Sequence, residues 1–224
     1  MALGPTSTVE DVRAALDNIQ DPRVLAVNLK SGNDYAVNLG KLRGMAKEIK
    51  TNQDLAAGLW ATGDSDARLL ALLICKPRAF GVEELDAMLH GAVVPKVQDW
   101  LLNYVVKKSS HCEELRRGWL GAGDPVVASA GWELTAARVG KDAGGLDLAG
   151  LLDTIEENML DAPERLQWAM NHTLAEIGIA HERYRARALA IGEKLQVLVD
   201  YPTLPGCTSP FAPIWINEMV SRQA

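Results

Sequence analysis

The sequence predicts an all-α protein, an α-α superhelix or solenoid of stacked helix pairs ending in an extended proline-rich segment, and three observations carry the prediction. Apolar residues recur at spacings of three and four along most of the 224 residues, as on one face of a helix. Period-two alternation, the mark of a half-buried strand, is hard to find. Helix-start signals return near Asp64, Pro95, Asp124 and Pro163, roughly thirty to forty residues apart, the interval of a repeated helix-turn-helix unit. The intervals are irregular, which makes the repeats HEAT-like, and the inner helices of such an array line a concave surface suited to an extended partner.

The first helix is expected over Val9, Val12, Leu16 and Ile19, with Ser7 and Glu10 as its capping box. Asp64 then precedes Ala67, Leu69, Leu70, Leu72, Leu73 and Ile74, a run apolar on most sides that belongs to a helix buried between neighbours. Asp124 and Pro125 read as N-cap and first helical residue of a helix carrying Val126, Val127, Ala130 and Leu134 and ending at Gly140. Leu148, Leu151, Leu152, Ile155 and Met159 form one further helical face, and Leu166, Met170, Leu174 and Ile177 another, closed by Gly178. After Asp200 four prolines in fifteen residues favour an extended segment, and Phe211, Ile214 and Trp215 dock it on the array. The expected organisation is one domain over 1–224: a helical cap at 1–34, stacked pairs over 35–199 and the docked tail at 200–224.

With 48% apolar and 23% charged residues, a chain of this size can bury one sizeable core. Its net charge of −6 repels polyanions as a whole, so contact with nucleic acid requires a locally basic face. Cys75, Cys112 and Cys207 are odd in number, far apart and without metal-ligand spacing, which fits reduced thiols in a cytoplasmic protein. The first residues lack a basic region followed by an apolar run, and no apolar stretch approaches the ~20 residues that cross a bilayer, so no membrane partner is expected. His90, His111, His172 and His181 fall singly, no phosphate-binding glycine loop or nucleophile elbow occurs, and no metal or cofactor is expected.

Two helices carry locally positive runs: Lys41, Arg43, Lys47 and Lys50 against Glu48, and Arg183, Arg185, Arg187 and Lys194 against Glu182 and Glu193. A solvated helix face accounts for most such runs, and a phosphate-contacting surface is the sharper reading. Lys107 and Lys108 can equally favour the C-terminal dipole of the helix holding Trp100. Six tryptophans against two phenylalanines is unusual, and Trp100, Trp132 and Trp168 are assigned to inner helices, where packing between stacked helices competes with ligand contact as their role. His172, four residues past Trp168, is in the same way either a packing residue or a catalyst.

The stretch from Tyr35 to Ile49, then Leu59-Trp60 and Ala67 to Ile74, resembles the DNA alkylation repair family of HEAT-like proteins, which includes alkylpurine DNA glycosylases. The similarity resumes at Met170-Asn171, Glu176-Ile177-Gly178, Val199-Asp200-Tyr201 and Cys207. The resemblance implies duplex DNA held in the concave groove, with an aspartate, an arginine and tryptophans around the sugar of a damaged nucleotide that is not flipped into a pocket. The carboxylate would stabilise positive charge on the sugar as a cationic alkylated purine departs. Carried onto this chain, the aspartate position falls on Asn103 in Asp99-Trp100-Leu101-Leu102-Asn103, the arginine on Ser129 and a second tryptophan on His172. Sliding the register by one puts Tyr104 on the carboxylate position, and Asp99, one turn before Asn103, is a possible substitute acid.

The resemblance with those three replacements implies a divergent member that binds duplex DNA, damaged or distorted, without efficient base excision. Arg68, Lys107, Arg183, Arg185 and Arg187 are the candidate phosphate contacts, with Trp100, Asn103, Trp168 and His172 at the centre of the groove. The alternatives are a glycosylase removing N3- or N7-alkylated purines through Asp99, Asn103 or His172, and a helical scaffold that holds a protein partner.

Overall fold

The computed structural model describes residues 3–223, and among them helices account for all the regular structure. The chain forms two compact units, residues 1–112 and 113–224.

The first unit contains α1 (Val9–Asp17), α2 (Pro22–Leu29), α3 (Leu39–Ile49), α4 (Gln53–Ala61), α5 (Ser65–Ile74), α6 (Val82–Gly91) and α7 (Pro95–Trp100). Its centre is α5, which packs against α1, α3, α4 and α7. Leu69, Leu70 and Ile74 are fully buried there, and burial of each such side chain is worth about 1.5–3 kcal/mol. Asp64 caps α5 by accepting from the Ala67 N–H, as the sequence leads one to expect. Asp66, also buried, accepts from the backbone N–H groups of Ala36 and Val37 at 3.0 and 2.9 Å, so a carboxylate ties the α2–α3 connection to the core. Burial outweighs those hydrogen bonds and raises its pKa. The capping box of α1 stands one residue later than expected, on Thr8 and Asp11 instead of Ser7 and Glu10. Ser7 is occupied otherwise, its Oγ accepting from the Gly4 N–H.

After Trp100 the helix widens into a π turn, Leu101–Val105, and tightens into a 3-10 turn, Val106–Lys108. Lys107 and Lys108 therefore lie beyond α7 on that last turn, not at the α-helical terminus pictured from sequence.

The second unit holds α8 (Cys112–Leu120, all but its first residue), α9 (Pro125–Lys141), α10 (Leu148–Asn158), α11 (Glu164–Ala180), α12 (Glu182–Leu195) and α13 (Ala212–Ser221). Asp124 caps α9 with Pro125 at its first turn, as expected, and the helix ends one residue past Gly140. The long α9 and α11 lie together, and Thr173 Oγ1 donates to the Trp132 carbonyl between them at 3.0 Å. Leu152, Ile155, Met170, Leu174, Ile177 and Ile216 fill the core of the unit.

Two expectations fail here, for one reason. Gly178 does not close α11, which continues to Ala180, and the tail is not extended throughout, since residues 212–221 form α13. A Cβ on Gly178 would come within 2.5 Å of Ile216 Cδ1, and one on Gly192 within 2.6 Å of Pro213 Cδ. These glycines are contact points that let α13 approach α11 and α12, and Pro213 is tolerated because it falls in the first turn, where no N–H partner is needed. Phe211 and Ile216 of the tail are buried, while Ile214, one of the residues expected to dock it, is half exposed.

Candidate nucleic-acid interface

In the first unit the π turn gathers the candidates. Asn103 is exposed on it, its Nδ2 donating to the Asp99 carbonyl and its Oδ1 accepting from Lys107 Nζ, both at 2.8 Å. Trp100 is only 5% exposed, so its ring acts as a floor and offers little area to a ligand. The Arg43 guanidinium lies 4.9 Å from that ring's centroid and donates to the Tyr104 hydroxyl at 3.3 Å. Tyr104 meets Trp100 edge-on at 5.2 Å, and Lys108 Nζ stands 5.3 Å from the Tyr104 centroid. The result is a patch of three cations, Arg43, Lys107 and Lys108, held in place by aromatic faces and a neutral amide. Asp99 faces Lys96 at 3.9 Å.

The same unit holds Arg68 apart from this patch. Its Nε donates to the Trp60 carbonyl at 3.2 Å and its Nη1 to the Gly91 carbonyl at 2.7 Å, with the guanidinium over the Trp60 ring. Those carbonyls lie in the last turns of α4 and α6, so Arg68 satisfies helix ends.

In the second unit His172 is clamped. Its Nδ1 is 3.0 Å from Glu133 Oε2, its Nε2 is 3.6 Å from Glu176 Oε1, and its ring stacks on Trp215 at 5.3 Å. Burial disfavours the charged imidazole, but the hydrogen bond to Glu133 and the nearby Glu176 carboxylate outweigh it and raise the pKa to about 9. A histidine cationic at neutral pH donates from both nitrogens and has no lone pair for general-base work. Trp168 meets Tyr201 edge-on at 4.9 Å beside a pocket of about 450 Å³ that Trp215 also lines. Ser129 is 2% exposed and its Oγ donates to the Pro125 carbonyl, so it offers neither charge nor access.

The α12 arginines divide. Arg185 donates to the Gly178 and Ile179 carbonyls at 2.9 and 3.2 Å, closing the end of α11. Arg187 pairs with Asp153, lies 3.7 Å from Glu156 and reaches the Ala149 carbonyl. Among the described residues Arg183 alone of the three has neither a carbonyl nor a carboxylate partner, and its guanidinium sits 5.5 Å from the Tyr184 ring centroid.

The structure therefore brings Asp99, Trp100, Asn103 and Lys107 together in one unit, and Trp168 and His172 in the other. Arg43, Tyr104 and Lys108 join the first group, and Glu133, Glu176 and Trp215 the second. Glu176 could have been read from its four-residue spacing to His172, whereas Glu133 and Trp215 arrive from other helices, which spacing along one helix does not report.

A sequence profile described as DNA alkylation repair enzyme matches residues 12–216. The chain belongs to that family. A solved structure shares the fold with a TM-score of 0.80 at 22% identity, over 97% of this chain and 95% of its own; it is described as one of a new family of proteins related to the HEAT-like repeat DNA glycosylases with affinity for branched DNA structures. Comparison with curated proteins returns no match.

Proposed function

We propose that this member of the DNA alkylation repair family binds DNA, duplex or branched, and does not excise bases efficiently. The observation that carries the reading is Asn103: where the resemblance puts a carboxylate there is a neutral amide whose oxygen accepts from Lys107. An ammonium on the amide oxygen favours a phosphate and opposes a developing sugar cation, the reverse of what excision needs. Ser129, at the position implied for the arginine, is buried against its own helix. The substitute groups are weak: Asp99 lies beside Lys96, and His172 is protonated at neutral pH. The structural neighbour's described affinity for branched DNA adds that class of substrate to the duplex.

The test is to incubate the protein with linear and four-way DNA, and with duplex carrying 7-methylguanine or 3-methyladenine, scoring bound DNA and free base in the same samples. Binding without release is expected. Release that Asp99→Asn abolishes in a folded protein would establish the glycosylase alternative instead, and absence of binding at low salt would remove the DNA reading altogether.

A further inference from the structure

We propose that a pocket of about 730 Å³ at the C-terminal end of α5, which shares Lys107 and Lys108 with the patch described above, is a phosphate-binding site; the assignment of its ligand as the phosphates of a DNA strand rests on the reading above. Lys76, Arg78, Lys107 and Lys108 line it, with the hydroxyls of Thr51 and Ser109. Local structure places them. The chain leaves α5 at Ile74 and turns through the 3-10 segment Pro77–Ala79, fixed by a 2.7 Å hydrogen bond from the Lys76 N–H to Gln53 Oε1. That segment packs against the turn Val106–Lys108, where Ser109 Oγ donates to the Val106 carbonyl, so two short turns each bring a pair of cations to one hollow.

The charge balance points to an anion. The chain carries −6 overall, yet no carboxylate lines this pocket, and among the described residues none of the four cations has an ion-pair partner. Lys107 rests on a neutral amide and Lys108 on an aromatic face. Burial pushes the Cys75 thiol, also in the lining, up to about 11, so it adds no negative charge. A helix C-terminus favours one or two nearby cations through its dipole. Four in one concavity repel each other, and a bound polyanion with several oxygens removes that repulsion while the Thr51 hydroxyl donates to it.

The experiment uses the full chain with Lys76→Gln and Arg78→Gln combined, beside an Arg13→Gln/Lys30→Gln control of equal net charge from exposed positions on α1 and next to α2. Duplex and four-way DNA are titrated across a salt series. The pocket variant is expected to flatten the slope of log K against log salt by about 1.8, at ~0.9 per phosphate contact, with the control slope unchanged. Equal losses in both variants, or none in the pocket variant, overturn the proposal. Inorganic pyrophosphate, followed by amide NMR, supplies an arm independent of DNA. Saturable shifts at Thr51, Lys76, Arg78, Lys108 and Ser109 that vanish in the pocket variant support the site, and their absence overturns it. If pyrophosphate shifts persist in a protein that binds no DNA, the phosphate site stands and the DNA reading falls.

Discussion

Two basic regions of this protein, helix α12 and the surroundings of the π turn, differ in what their charges do. On α12, Arg185 and Arg187 are already engaged, one by the carbonyls that end α11 and the other by Asp153 and Glu156 of α10. Around the π turn of the first unit, Arg43, Lys107 and Lys108 are braced by two rings and one amide, none of which cancels charge. The difference teaches that a run of arginines marks a polyanion site only where its side chains are neither offset by carboxylates, as Arg187 is, nor committed to backbone carbonyls, as Arg185 is. Long-range attraction for DNA depends on net local charge, which on α12 is reduced where Asp153 and Glu156 offset Arg187.

The comparison can be broken in several ways. The largest effect is expected from Arg43, Lys107 and Lys108 changed together to Gln: DNA affinity at low salt should fall by roughly two to three orders of magnitude, and the salt slope should flatten by about 3, with the thermal transition little moved. Unchanged affinity would place the interface elsewhere.

Next comes His172. Its pKa is raised to about 9, so the stabilisation it gains from Glu133 and Glu176 is complete below the unfolded value near 6.5 and is lost as pH rises through 9. Urea unfolding should show a loss on the order of 3 kcal/mol between about pH 6 and pH 10 in the native chain. His172→Gln should show a flatter profile; an identical one would mean that the imidazole does not carry the charge.

Arg185→Gln should do the opposite of the triple change. Loss of its hydrogen bonds to α11 costs about 1–3 kcal/mol of stability, read by urea unfolding, while the salt slope of DNA binding stays as it was. The smallest effect is expected from Arg187→Gln, whose partners are exposed: neither the unfolding midpoint nor DNA binding should move beyond error. A drop in affinity from either α12 change would return that helix to the interface.

Much of the fold was legible because helix grammar is local. Asp64, Asp124 and Pro125 cap or open helices as their types dictate, and the apolar run after Asp64 is indeed the buried centre of its unit. Where local grammar misled, tertiary contact had overruled it: Gly178 and Gly192 serve the approach of α13, and the prolines of the tail did not prevent a helix that has a core to lie on. The π turn was invisible, since one wide turn leaves no mark on apolar spacing. The site was legible as residue types and less so as roles. Asn103 and Lys107 stand together, but Arg68 and Arg185, candidate phosphate contacts by residue type, are held by carbonyls at helix ends, and apolar spacing says nothing of where a long guanidinium folds back.

The account depends on uncancelled positive charge beside Asn103 meeting a phosphate backbone. Equilibrium binding of the unaltered protein to an end-labelled duplex, measured across salt concentrations, tests this most directly. Log K should fall linearly with log salt, with a slope steeper than about −2.5 for three phosphate contacts. A slope near zero, or no complex at about 20 mM salt, would contradict it.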